Sequence, residues 1–354
     1  VRRINLDLQA DRIEAVLADH RAPARVTGGV VTPRLVRFHL APSAGVRLRK
    51  LFGLAEEVAL ALDAPNCRIA RENGALALEV PRPRPARVEL LPLCSRLAHI
   101  PPCAALIGLD DQGTPLLLAV DSPDVAHVLI AGSTGSGKTV LLRAIVASLA
   151  AHNHLGQLQL MLIDPKGRGL APLADLPHLL CPLLSEPRDV SARLSWLVEE
   201  MVRRDREGIR APRLILVIDE LAEVIATGRN GAVDALTRLT QRGREAGIHV
   251  IASTQKPSTA LLGPLMKANF PVRLVGSVAS ADDARVAAGI PETQAERLLG
   301  RGDFLLVFRG RCCRFQAAYI APDALRGLVR QLCTERRTSR RLPAAAPAER
   351  GGHR

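Results

Sequence analysis

Aromatic residues are scarce: phenylalanine, tryptophan and tyrosine together make up 2% of the 354 residues. A chain so poor in flat π-surfaces has little with which to stack nucleic-acid bases, so any grip on a polynucleotide must come from other groups. No apolar stretch approaches the roughly 18–20 residues needed to cross a bilayer as a helix, and Asp7 comes too early for a secretory signal. Val1 reads as an alternative start codon written as valine. The seven cysteines form no CxxC and no Cys/His pair. That pattern fits reduced thiols in a cytoplasmic protein rather than a disulfide framework or a zinc site. Lysine is nearly absent too, with five (Lys50, Lys138, Lys166, Lys256, Lys267) among 48 basic residues, a bias expected of a GC-rich genome. Four of those five lie between residues 104 and 325, inside or beside the motifs described below. Where a compact ammonium matters rather than a planar fork, arginine does not replace it.

A net charge of +13 suggests a polyanionic partner, but its distribution tempers that inference. Residues 1–103 carry +6 and residues 326–354 carry +6, whereas residues 104–325 carry only +1. The basic excess sits at the two ends.

The pattern of apolar residues divides the chain into a small α+β domain over 1–103, an α/β domain over 104–325 and a basic tail over 326–354. In the first, Ala10, Ile13, Val16 and Leu17 recur at helical spacing, and 51–62 is again helical. Residues 30–40 alternate like a strand interrupted by Pro33, and Asn73-Gly74 marks a hairpin between 67–70 and 75–80. The run Pro81–Arg87 closes this unit, since its prolines cannot sit in a central strand. In the second, strands expected at 128–131, 159–163, 214–218, 249–252 and 272–278 alternate with helices at 138–151, 188–204, 231–246 and 258–267. Such alternation is the signature of a parallel sheet covered on both faces. Residues 304–308 and 314–320 read as a terminal strand pair. Beyond 325 a basic helix gives way to a Pro/Ala/Arg tail expected to be disordered.

Gly132-Ser133-Thr134-Gly135-Ser136-Gly137-Lys138-Thr139 is a complete GxxxxGK[ST] motif between an apolar strand and an amphipathic helix. Its glycines let the backbone N–H groups turn inward to cradle phosphates. Lys138 is placed to neutralise the β- and γ-phosphates of ATP, and the Thr139 hydroxyl to ligate Mg²⁺. The strand ending at Ile218 delivers Asp219-Glu220 to the same sheet edge. Asp219 is expected to hold the Mg²⁺ through water and Glu220 to polarise the attacking water. Gln255, just past the strand at 249–252, is either a sensor of the γ-phosphate or an ordinary strand-end residue.

Six linked stretches resemble the FtsK/SpoIIIE motor: Asp164-Pro165-Lys166, Asp219–Glu223, Arg244–His249, Thr254–Ser258, Lys267–Arg273 and Leu298–Asp303. Residues 10–14, 59–62 and 79–81 resemble that family's α domain more loosely. The resemblance covers about residues 8–325, against a generic RecA-like ATPase as the alternative. It implies a RecA-like P-loop core, a small N-terminal α+β domain and a homohexameric ring that pumps double-stranded DNA. By motif position Arg285 is the arginine finger, with a solvated helix arginine as the alternative. The DNA contacts fall at Arg301 and at Arg309 and Arg311, the last two flanking Gly310 in a loop shorter than is usual in the family. Phosphate tracking by arginine without sequence reading is then expected. The family's membrane segment and winged-helix γ domain are not expected in this chain. Two other readings remain open. One is a secretion-type ATPase moving polypeptide, disfavoured by a single P-loop and no membrane helix. The other is a non-motor DNA-binding regulatory ATPase, disfavoured by the intact Lys138, Asp219 and Glu220.

Overall fold

The computed structural model describes residues 6–341 apart from 73, 84, 85, 256 and 258–268. The helix expected over 258–267, Lys256, Lys267, Asn73 and the tail after Arg341 lie outside the described residues.

The N-terminal unit is built from α1 (Leu6–Asp19), β1 (Ala24–Val31), β2 (Leu35–Pro42), α2 (Leu48–Gly53), α3 (Ala55–Ala61), β3 (Arg68–Glu72) and β4 (Ala75–Pro81). Its four strands pair antiparallel in the order β1-β2-β4-β3. The strand expected over 30–40 is instead a hairpin, with Pro33 in its turn. Proline fixes φ and has no N–H to give a ladder, so the chain reverses there. Ile13 and Leu17 of α1 and Leu51 and Val58 of the short helices cover Val36, Phe38, Leu78 and Val80 on one sheet face.

The larger unit follows with β5 (Val88–Glu89), α4 (Leu90–Cys94), β6 (Ala104–Asp110), β7 (Pro115–Ala119), β8 (Val128–Ala131), α5 (Lys138–His152), β9 (Leu158–Ile163), α6 (Pro187–Glu207), β10 (Arg213–Ile218), α7 (Leu221–Arg242), β11 (Ile248–Thr254), β12 (Val272–Gly276), α8 (Ala281–Ala288), β13 (Asp303–Phe308), β14 (Arg311–Tyr319) and α9 (Pro322–Arg341). Its sheet runs β7-β6-β14-β13-β12-β8-β11-β10-β9, with β5 added beside β14. The segment β12-β8-β11-β10-β9 is parallel throughout. Side chains alternate strictly across it: Ile130, Leu160, Leu162, Ile215 and Val217 face α5, while Leu129, Met161, Leu214, Leu216 and Val250 face α6 and α7. Both faces are buried, which is why these strands read as continuous apolar runs.

Two expectations shift. Helix α7 starts at Leu221, ten residues before the expected 231. Its buried Leu221, Val224, Ile225, Ala232 and Leu236 pack on the sheet and carry the helix through Gly228 and Gly231. Residues 88–103 pack with the larger unit: Val88, Leu90, Leu93 and Ile100 belong to its core, and Val88 pairs with Ala318. The basic helix expected beyond 325 is α9, which runs to Arg341 and is anchored by Leu325, Leu328 and Val329.

Candidate functional site

Because β8 to β12 run parallel, their C-terminal ends meet on one edge, and the residues that follow Ala131, Ile163, Ile218 and Thr254 converge there. The loop after β8 is held on all sides. Ser133 donates its N–H and its hydroxyl to Ser277 O, at 2.7 and 2.9 Å. The Ser136 hydroxyl donates to Ser133 O at 2.7 Å. Gly137 caps the helix at φ +104, where a side chain would be strained, and an added Cβ would lie 2.9 Å from Gly302 N. Lys138 is buried, and its Nζ donates to Ser133 O at 2.9 Å, folding the ammonium back over the loop. Burial pulls its pKa below the ordinary value, opposed by the nearby Glu220 and Asp219 carboxylates.

The acids expected beside this loop are there. The Thr139 hydroxyl lies 3.3 and 3.2 Å from the two Asp219 oxygens, and the Ser253 hydroxyl donates to Asp219 Oδ1 at 2.6 Å. A Cβ on Gly169 would collide with the Asp219 carboxylate, so glycine keeps that oxygen uncovered. A hydroxyl and a carboxylate in contact at a phosphate cradle are the hard oxygen donors that Mg²⁺ takes, usually with several waters. Glu220 follows in the left-handed region at φ 70 and is buried. Its Oε1 accepts from Thr254 Oγ1 at 3.0 Å and its two oxygens accept from Gln255 N at 3.2 Å. The Gln255 Oε1 in turn accepts from Thr134 Oγ1 at 2.9 Å. Gln255 therefore joins the phosphate loop to the second acid.

Two stretches that the sequence named without a role at this site also reach it. Asp164 ties the turn after β9, accepting from Lys166 N and Gly167 N at 3.1 Å and from Leu170 N at 2.9 Å. The turn Gly300-Arg301-Gly302 presses on the phosphate loop from the other side, with Arg301 N donating to Gly135 O at 3.0 Å and Gly302 N to Ser136 O at 2.8 Å. Behind it, Asp303 binds Leu299 N and the fully buried guanidinium of Arg314. Arg314 also pairs with Glu79 of β4, which holds Arg37 at 3.0 Å and Arg68 at 3.3 Å. Burial alone would raise the Glu79 pKa, but Arg314, Arg68 and Arg37 hold it down to about 2. Arg34 adds two bonds of 2.7 Å to the carbonyls of Gly300 and Arg301. The N-terminal unit is thus bolted to the turn that grips the phosphate loop.

The three arginines expected to touch DNA are not brought together. Arg301 lines the cleft at the phosphate loop. Arg309 and Arg311 flank the β13–β14 turn at the opposite sheet edge, where Phe308 pairs with Val272 and Val272 with Val128. Arg309 pairs there with Asp124, and both are exposed. Six strand residues span about 17–20 Å, so one phosphate contact cannot include both groups. Arg285 lies exposed on α8, 3.3 Å from Asp282, with its side chain outside the cleft. Among the described residues no cluster of His, Cys, Asp and Glu suits a further metal, and no helix is long and apolar enough to cross a membrane.

The model of the FtsK/SpoIIIE family matches residues 104–211 and 204–259, and that of the FtsK alpha domain matches residues 1–82. The DNA translocase FtsK of Sporosarcina ureae is 31% identical over 92% of this chain and 45% of its own length. The DNA translocase SpoIIIE of Bacillus subtilis (strain 168) is 31% identical over 94% of this chain and 46% of its own. SftA, a DNA translocase of the same strain, is 32% identical over 86% and 34%. This chain spans less than half the length of each of these relatives. Among solved structures, the pCW3 conjugation coupling protein TcpA in its monomer form with ATPγS superposes with a TM-score of 0.64. That match covers 93% of this chain and 100% of the other at 17% identity, a likeness of fold.

Proposed function

We propose, for a chain that belongs to the FtsK/SpoIIIE family, an ATP-driven pump of double-stranded DNA that works as a homohexameric ring in the cytoplasm. The observation that carries this reading is the joining of Lys138, Thr139, Asp219, Glu220 and Gln255 at one sheet edge. The backbone N–H groups of residues 132–139 hold the phosphates, as glycine-rich turns at a helix N-terminus do. Lys138 exchanges Ser133 O for the β- and γ-phosphate oxygens. Thr139 and Asp219 would hold Mg²⁺, which would supply positive charge to offset the charge that develops as the γ-phosphoryl group leaves. Glu220 orients the attacking water and takes up its proton. Gln255 then moves with Glu220 and Thr134, so that hydrolysis is felt at the end of β11.

Arg285, exposed and outside its own cleft, completes the site of the neighbouring subunit, a contribution typically worth roughly 10³–10⁵ in rate. Its partner Asp282 lies on the same helix, and such an exposed pair holds it weakly. Arg309 and Arg311 track phosphates. The functional units follow the FtsK plan, with an α domain ahead of a RecA-like motor.

A triplex-displacement assay tests the pump. Wild-type protein with ATP and Mg²⁺ strips a third strand from linear duplex, and Lys138→Ala fails to do so at any concentration. A wild-type protein that hydrolyses ATP on duplex without displacing the third strand would be a DNA-binding ATPase and not a pump.

A further inference from the structure

The run Pro81–Arg87 remains outside the function described so far, although it joins the two units. Its last residue has a defined place. The short strand β5 pairs in parallel with the end of β14, Val88 to Ala318 and Glu89 to Tyr319. That pairing sets the Arg87 guanidinium over the ring of Tyr319, 4.9 Å from its centroid, within the roughly 6 Å over which a cation is drawn to an aromatic face. Tyr319 is the one tyrosine in a chain with 2% aromatic residues, and it is only partly buried. Both side chains line the cleft of 480 Å³ that also takes in Thr134, Lys138 and Thr139. The phosphate loop forms one wall and Arg87 with Ala317–Tyr319 the other. A cleft of this size exceeds what a triphosphate needs and suits a small organic ligand.

We infer that Tyr319 and Arg87 form the platform on which the purine base of the bound nucleotide rests. The proposal builds on the nucleotide reading above and adds the base contact. The base stacks on the Tyr319 ring, and Arg87 moves from that ring to the outer face of the base, where its planar guanidinium stacks equally well. Stacking of this kind uses the π-face common to all bases. The platform therefore holds the base without choosing strongly between adenine and guanine. Because Arg87 ends the connector between the two units, base occupancy also fixes the connector on the motor.

The test compares ADP with inorganic tripolyphosphate, which fills the phosphate loop but carries no base, by calorimetry on the full chain. Base–aromatic stacking is worth about 1–3 kcal/mol, which converts to about 5- to 150-fold in affinity. Tyr319→Ala weakens ADP binding within that range and leaves tripolyphosphate binding unchanged, the latter showing that the phosphate loop is still folded. Tyr319→Phe restores ADP affinity, and Arg87→Ala, at an exposed position, loses several-fold for ADP alone. GDP follows ADP in every variant. Trypsin gives a second reading, because Arg82 and Arg84 precede prolines and only the Arg87–Val88 bond of the run is open to it. ADP slows that cleavage and tripolyphosphate does not. ADP affinity unchanged in both Tyr319→Ala and Arg87→Ala, or lost in parallel with tripolyphosphate, overturns the platform. A wild-type chain that binds neither ligand overturns the nucleotide reading itself.

Discussion

The β13–β14 hairpin carries an arginine cluster at each end, and the two differ in nearly every physical respect. At the end beside the phosphate loop, Arg314 is buried between Asp303 and Glu79, and Glu79 binds two further arginines. At the turn, Arg309 and Arg311 face solvent, and Arg309 pairs with the exposed Asp124 and lies over the Phe308 ring. The buried cluster fixes geometry. Asp303 places the turn that presses on the phosphate loop, and Glu79 ties the N-terminal unit to it. The exposed cluster fixes little within the fold. On the function proposed above, one hairpin serves the nucleotide at one edge of the sheet and the polynucleotide at the other.

The largest expected effect is on stability. Removing one member of a buried ion pair strands the others and costs about 3–5 kcal/mol, whereas an exposed pair contributes about 0–1 kcal/mol. Arg314→Met, which keeps much of the side-chain volume, should lower the unfolding free energy read from denaturant melts by the first amount. Arg309→Ala should leave it nearly unchanged. Equal losses in the two variants would erase the distinction between the ends of the hairpin.

A smaller effect comes from pH. His127 and His249 sit at the β8 and β11 strand starts, where Val250 N donates to His127 Nδ1 and His249 Nδ1 donates to Ala126 O, both at 3.0 Å. Burial pushes His127 down to about 3 and His249 to about 4. The unfolded chain takes up protons near pH 6.5 that the folded chain refuses, so stability falls as pH drops through that value. Between pH 7 and 5.5 the two histidines together should remove about 2–3 kcal/mol. Glu79 acts in a different window. With its pKa held at about 2, its contribution is intact above about pH 4.5 and fades as pH falls toward 2. Denaturant midpoints that stay flat from pH 7 to 5.5 would show that the histidines are not buried as described.

The division between what could and could not be read beforehand follows sequence distance. The phosphate loop, Asp219-Glu220 and the five parallel strands are local patterns whose chemistry or burial demands particular residues at particular spacings. All stood where expected. The Arg314–Glu79 pair joins residues 235 positions apart, and nothing near either one marks it. Arg301 looked like its neighbours Arg309 and Arg311 because charge alone does not say which edge of a sheet a residue occupies. The register of β13 against β12 decides it. The β6–β7 pair and the place of 88–103 were missed for a related reason. Strand β6 is buried along its length and so does not alternate, β5 has only two residues, and their partner β14 lies far down the chain.

The separation of the two ends is tested most directly by titrating the ATPase rate with linear duplex DNA, using wild-type protein and the double variant Arg309→Ala/Arg311→Ala. Duplex should stimulate the wild type. The double variant should need several-fold more duplex for half-stimulation while keeping the saturated rate. Its log–log salt slope should fall by about 1.8, at about 0.9 per lost phosphate contact. A saturated rate that collapses while half-stimulation stays put, or a wild-type rate indifferent to duplex, would contradict this division of the hairpin.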